Sequence, residues 1–319
     1  SRACSAVVFA FDSETTSLDP LSARPVGFSF AVDIGEACYV VLEGPDGRVM
    51  DEDAVRERFN TLFTNERVAV VGQNLKYDWQ VLFRWGVEIK NIAFDTMIAA
   101  WLVDTTAGSY GMDKLAEEYL GYTTVHYADL FEKDGDEHTF TDVPLDEATR
   151  YAAEDADVTL RLYRVLDPLL DRRAVREIFE ELEMPLVPIL AKMELAGIKL
   201  DVDALRSYSE SLAAQIADVQ SEIYELVGRE FNIGSTKQLQ SVLFEERKLQ
   251  PIKKTKTGYS TDNSVLLELS REDPVPDKVL RYRMLSKLRS TYVDALPKLV
   301  HPDTGRIHTS FNQTGTATG

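Results

Sequence analysis

The sequence predicts an α/β fold with a mixed central sheet, followed by a mainly α-helical region. Three observations predict it. Strand-length apolar runs fill much of the first 72 residues, helix-spaced segments then alternate with them, and past about residue 195 apolar positions recur almost wholly at helical spacing. At 319 residues the chain exceeds one ordinary core. Two domains are expected, 1–195 and 196–319.

The elements follow in order. Val7–Phe11 is a short apolar run cut off by Asp12, and predicts a buried strand. Segments 25–32 and 36–42 predict two more, joined by the turn Asp33-Ile-Gly35. An amphipathic helix is expected over 52–64, a buried strand over 68–72, and helices over 76–86, 95–104 and 111–120. Residues 121–143 are polar and irregular, and predict a long surface loop. Pro144-Leu-Asp-Glu147 opens a helix whose apolar spacing lasts to about Leu170; its first-turn acids suit the helix dipole. A further helix is expected over 174–195, ending at Ala196-Gly197, a natural boundary. Beyond it, 202–227 and 275–300 have heptad-like spacing, Ser235 can cap a short helix, and Ile252–Tyr259 predicts an exposed, mobile basic loop.

Composition narrows the function classes. A content of 44% hydrophobic and 28% charged residues excludes a disordered chain. No apolar run is long enough to span a bilayer, and the first one is too short for a secretory signal. Two cysteines, Cys4 and Cys38, without metal-type spacing fit a reducing, cytoplasmic setting, with both as small buried hydrophobes. The four histidines are scattered and read as structural. The net charge of −18 is unevenly spread: residues 1–190 carry 17 basic and 36 acidic residues, whereas from 231 onward the count is 14 to 9. An acidic first part and a mildly basic last part suggest two different jobs.

A few carboxylates stand apart from the solvated ones. Asp12 and Glu14 end a buried strand, two residues apart and so on one side of it. Burying like charges together is costly unless a cation neutralises them. Tyr151 and Asp155 share a helix face at a spacing of four. Asp78 follows a short strand into the opening of a helix that Asn74 could cap. Each signal alone also fits an ordinary acidic edge or a helix cap. Together they supply four hard oxygen ligands, which suit Mg²⁺ or Mn²⁺. Two such ions can clamp the attacking and leaving oxygens of a phosphoryl displacement, with Tyr151 orienting the water.

Three segments carry a resemblance: Phe11-Asp-Ser-Glu-Thr-Thr-Ser-Leu-Asp19, Val71-Gly-Gln-Asn-Leu-Lys-Tyr-Asp78 and Tyr151-Ala-Ala-Glu-Asp-Ala-Asp157. They resemble the motifs of the DEDD exonucleases, in the subclass with tyrosine in the third motif, as found in bacterial family A DNA polymerases. The likeness continues through Phe94–Met97, Glu183–Pro188, Ser235–Leu239 and Thr304–Ser310, and spans nearly the whole chain.

The resemblance implies a ribonuclease H-like 3′→5′ exonuclease domain, then the helical thumb that begins a polymerase domain. It implies that Asp12, Glu14 and Asp155 bind one divalent ion, and that Asp12, with Asp78 through water, holds a second. Tyr151 would hydrogen-bond the nucleophile. Leu18, Gln73, Asn74 and Tyr127 would touch a single-stranded or frayed 3′ end of DNA, and Lys253, Lys254 and Lys256 the phosphates of a primer–template duplex. For Tyr127 a plain surface tyrosine is an equal alternative, and for the lysines a solvated cluster. A monomer acting in the cytoplasm is expected. Gln313–Gly319 resembles the entry to a polymerase palm, so the chain is expected to lack the palm and not to synthesise DNA. Two other readings stay open: a non-catalytic DNA-binding module on the same fold, and a ribonuclease D-like enzyme acting on RNA.

Overall fold

The computed structural model describes residues 7–131, 138–255 and 258–318. They form two compact units. One runs to Ala196 and takes in the tail from Thr309; the other is Gly197–His308. The tail thus clusters with the first unit, although the sequence reading placed it with the second.

The first unit is built on five strands: β1 (Val7–Thr15), β2 (Pro25–Asp33), β3 (Glu36–Val41), β4 (Val68–Gly72) and β5 (Ile92–Asp95). Their order is β3-β2-β1-β4-β5. The first three are antiparallel, whereas β1, β4 and β5 run parallel, so the sheet is mixed. The expected helices are α1 (Glu52–Phe63), α2 (Leu75–Arg84), α3 (Thr96–Val103), α4 (Leu145–Arg172) and α5 (Met184–Ala196).

Strand alternation divides the two sheet faces by size. Phe9, Phe11, Phe28 and Phe30 point to one side and meet Phe59, Phe63, Trp79 and Trp85. Their rings pack at centroid distances such as 4.7 Å for Phe28–Phe59 and 5.3 Å for Phe11–Phe63. Each such pair adds about 1 kcal/mol beyond the area it buries. On the other face lie Ala10 and Ala31, against Ala156 and Leu160 of α4. Small residues there let α4 approach the sheet closely. That approach sets the geometry of everything α4 carries.

Several expectations are corrected. The segment 121–143 is not simply a surface loop: Thr124, Phe140 and Val143 are buried, and Phe140 and Val143 pack with Val26, Ala148, Tyr39 and Tyr151. Its polar residues masked this in the sequence. Helix 174–195 is broken by a wide turn at Phe179–Glu183 and begins as a single turn, Arg176–Ile178. Helix 111–120 holds α geometry only over Met112–Leu115 and then widens. Cys38 is exposed because β3 is the sheet's edge; Cys4 lies outside the described residues.

The second unit packs α6 (Val202–Val227), α7 (Asn263–Leu269) and α8 (Pro274–Lys287) around Leu212, Val219, Ile223, Leu243, Leu266 and Val279. The expected long helix 275–300 ends its α geometry at Lys287 and continues as wider and tighter turns. Ser235 caps Thr236–Gln240, accepting from Gln238 N–H at 3.4 Å. The basic segment forms a short hairpin, Lys254–Thr255 with Gly258–Tyr259. Among the described residues no helix is long and apolar enough to cross a membrane.

Candidate active site

β1 outruns its parallel neighbour. Its pairing with β4 stops at Ala10, while its pairing with β2 continues to Thr15. Asp12 and Glu14 therefore belong to the strand rather than ending it. They sit beyond the carboxyl end of β4, where sheets of this kind leave a crevice. Both lie on the face toward α4, as Ala10 does.

α4 brings Asp155 and Tyr151 to that end, one helical turn apart. Carboxylate oxygens of Asp12, Glu14 and Asp155 lie within 4.8 Å of one another. Glu14 and Asp155 are each 8% exposed. Among the described residues one Glu14 oxygen, Oε1, is buried without a hydrogen-bond partner. Three carboxylates crowded around an unpartnered acceptor are what a cation site requires before the cation binds.

Asp78, 2% exposed on α2, stands just outside this trio. Its Oδ1 accepts from Ser13 N–H at 3.0 Å and from the Ser13 hydroxyl at 2.5 Å. Ser13, between the two acids of β1, thus ties α2 to the strand. A second set of bonds fixes α2 from behind. Glu194 of α5 accepts from Lys76 Nζ, Gln80 Nε2 and Phe311 N–H, each at 2.6 Å.

The electrostatics match the crowding. Burial pushes the Asp12 carboxyl up to about 6. Burial, reinforced by Asp12, Asp155 and Asp78, holds Glu14 well above the carboxylate range. Asp78 and Asp155 are raised by burial and then by Asp12; hydrogen bonds from Ser13 and Tyr151 respectively pull the other way. Burial, then the charges of Asp155, Glu14 and Asp12, raises the Tyr151 phenol, which stays protonated. The donor set is all oxygen, suits a hard divalent ion, and has no cationic side chain among the groups that shift it.

The remaining predicted residues are placed as follows. Leu18 is 94% exposed on the loop after β1. Asn74 is exposed in the left-handed region, φ 59°, at the start of α2, and its side chain does not cap the helix. Gln73 is held inside the fold: its amide donates to Tyr110 C=O at 2.8 Å and accepts from Thr96. Tyr127 is exposed at its edge and rests against Tyr151, ring centroids 6.2 Å apart. In the second unit Lys253 pairs with Asp262 at 3.2 Å, and Lys254 lies over the Tyr259 ring at 5.4 Å. Lys256 lies outside the described residues.

Sequence reasoning missed two residues that shape the site. Tyr77 bonds Thr15 and Ser17 C=O, both at 2.5 Å, and so anchors the loop that carries Leu18; burial pushes its phenol up to about 12. Its place beside Asp78 was the available signal. Asp95, 1% exposed, caps two helices, accepting from Asn74, Leu75, Met97 and Ile98 N–H at 3.2, 2.7, 2.9 and 3.3 Å. It takes the capping role that the sequence reading gave Asn74, and nothing local in the sequence reveals the contact to α2.

The chain is similar to known proteins along its length. A family model for 3′-5′ exonuclease matches residues 1–171, and one for DNA polymerase family A matches residues 202–319. DNA polymerase I of Treponema pallidum is 42% identical over 99% of this chain and 35% of its own length; that of Pseudomonas aeruginosa is 41% identical over 98% and 35%. The chain thus spans about a third of the length of these curated relatives. The solved POL domain of Pol1 from M. smegmatis, in complex with DNA primer-template and dNTP, superposes with a TM-score of 0.80 at 29% identity, over 98% of this chain and 50% of that one. With its first 171 residues matched and the start of a family A polymerase domain behind them, the chain belongs to the 3′-5′ exonuclease family.

Proposed function

We propose that this chain is a metal-dependent 3′→5′ exonuclease that removes nucleotides from single-stranded or frayed DNA ends, as proofreading requires. The observation that carries the reading is the buried trio Asp12, Glu14 and Asp155, its oxygens within 4.8 Å and one of them unpartnered. Asp12, Glu14 and Asp155 would hold one divalent ion, Mg²⁺ or Mn²⁺, and Asp12 a second, with Asp78 reaching it through water. Bound there, the ions would neutralise developing charge and lower the pKa of the attacking water.

The chain's own groups do the rest. Tyr151, protonated and beside Asp155, hydrogen-bonds the attacking water and orients it. The water loses a proton to solvent and its oxygen bonds to phosphorus, the bond from phosphorus to the 3′ oxygen of the preceding sugar breaks, that oxygen takes up a proton to become the new 3′-hydroxyl, and a nucleoside 5′-monophosphate leaves. Leu18 and Tyr127 offer exposed apolar surface for the last bases, with Asn74 as a polar contact. Gln73, whose side chain bonds Tyr110 and Thr96, would contact the strand through its backbone. A frayed end enters without the cost of melting a pair. In the second unit, Lys253 and Lys254, together with Lys256 of the same basic segment, would bind duplex phosphates.

The test is digestion of end-labelled DNA, paired or mispaired at its 3′ end, with and without Mg²⁺. Magnesium-dependent shortening, faster on mispaired ends and lost in Asp12→Ala, supports the reading. Full activity in that variant sinks it. A parent chain that binds DNA yet shortens no end points instead to a non-catalytic module.

A further inference from the structure

We propose that the tail segment Phe311–Thr316 is a positioning strap for the exonuclease site: the peptide groups of Phe311 complete a buried ion pair, Lys76–Glu194, that sets the helix carrying Asp78 against β1. The proposal rests on the exonuclease reading and adds to it residues from outside the stretch that the 3′-5′ exonuclease family model matches.

α2 is held on two faces. Asp78 lies on one, bonded to Ser13 of β1. Lys76 and Gln80, one helical turn apart, lie on the other. Both reach the buried Glu194 of α5: Lys76 Nζ donates to Oε1 and Gln80 Nε2 to Oε2, each at 2.6 Å. The tail closes this node. Phe311 N–H donates to Glu194 Oε1 at 2.6 Å, and Phe311 C=O accepts from Lys76 Nζ. One residue of the tail thus bonds both ions of the pair. Two further fastenings lie along it. The Gln313 amide donates to Glu183 C=O at 3.0 Å and to the Glu183 carboxylate at 2.7 Å. Thr316 C=O accepts from the indole of Trp101 on α3 at 2.9 Å. The strap is therefore bonded to α2, α5 and α3, all within the first unit.

The energetics give the strap its role. The cost of taking an ion pair out of water is offset only when its remaining hydrogen-bonding groups are satisfied. Here the Phe311 peptide groups supply two of those bonds. Without them water reaches Lys76 and Glu194, their lateral hold on α2 slackens, and Asp78 shifts against β1. Asp95 still fixes the first turn of α2 through Asn74 and Leu75 N–H, so the helix pivots there. A shift of about 1 Å can cost about a hundredfold in rate. A tail that merely covered surface would contribute stability and leave the placement of Asp78 alone.

The test releases the strap in the full chain at sites away from α2, with the double variant Gln313→Ala, Trp101→Phe. Cleavage of single-stranded DNA is measured with Mg²⁺, and amide hydrogen exchange in chelator. The double variant should lower kcat about tenfold and leave KM for DNA unchanged, the mark of groups misplaced in the transition state. Its α2 amides should exchange faster, while those of β4 exchange as in the parent. Gln313→Ala alone should show a smaller effect of the same kind. Lys76→Met should also lower kcat, and adding it to the double variant should lower kcat no further, because both changes break one node. Unchanged kcat overturns the strap, as does a loss confined to KM or exchange that rises equally in α2 and β4. A parent chain inactive with Mg²⁺ overturns the exonuclease reading instead; exchange in α2, measured without metal, judges the strap in either case.

Discussion

Two parallel strands of one sheet carry buried carboxylates near their carboxyl ends, with opposite fates. At the end of β5, Asp95 accepts four backbone N–H groups and caps two helices. Within the last residues of β1's pairing with β2, Glu14 is also buried, has an unpartnered oxygen among the described residues, and is surrounded by three other acids. Burial raises both carboxyls. At Asp95 the amides pull back; at Glu14 the neighbours add to the rise. The difference teaches that a buried acid marks a ligand site only when the fold leaves it unsatisfied.

The largest test of that contrast is on activity. Asp12→Ala should lower magnesium-dependent cleavage by about a thousandfold, several kcal/mol of transition-state stabilisation, and leave the circular dichroism spectrum unchanged. Asp95→Ala should behave in the opposite way. Loss of the double cap strands buried N–H groups and should cost about 3 kcal/mol of unfolding free energy. Urea titration in chelator checks it. If Asp95→Ala unfolds as the parent does, its amide shell is not what the geometry suggests.

A smaller effect follows from pH. A carboxyl whose folded pKa lies above its unfolded value binds protons more tightly when folded. For Asp12, with a folded pKa near 6, the metal-free chain should lose stability as pH rises from about 4 through 6. Asp12→Asn should remove part of that loss, stabilising the metal-free chain at pH 8 by about 2 kcal/mol. Added Mg²⁺ should stabilise the parent more than the variant. A parent whose unfolding temperature is flat from pH 5 to 8 in chelator would contradict the crowding of the site.

Much of the site was legible because its chemistry repeats the periodicities of the backbone. Asp12 and Glu14 alternate on a strand, and Tyr151 and Asp155 are one helical turn apart, so local spacing put each pair on a face. The small residues Ala10, Ala31 and Ala156, which let α4 approach those acids, give no such signal; they are ordinary alanines until the strands pair. Asp95 acts across elements far apart in sequence, and strand register, not spacing, brings it in. The loop 121–143 misled because its polar residues outnumber Phe140 and Val143, its two buried apolar residues among those described.

The smallest effect concerns the second unit, where the charge contrast reverses. Lys253 and Lys254 are both exposed, but they are not equivalent. Lys253 has a carboxylate partner, Asp262, whereas Lys254 has a Tyr259 ring beneath its ammonium. Binding phosphate costs Lys253 an existing ion pair, but Lys254 can keep its ring while its charge faces outward. Lys254→Ala should therefore weaken duplex binding a few-fold and reduce the slope of log affinity against log salt by about 0.9, the value of one phosphate contact. Lys253→Ala should change both less. Fluorescence anisotropy on duplex DNA between 50 and 200 mM salt, a range over which phosphate contacts weaken, separates the two variants. Equal slopes for both variants and the parent would return the hairpin to an ordinary solvated cluster, and the exonuclease site would be untouched by that result.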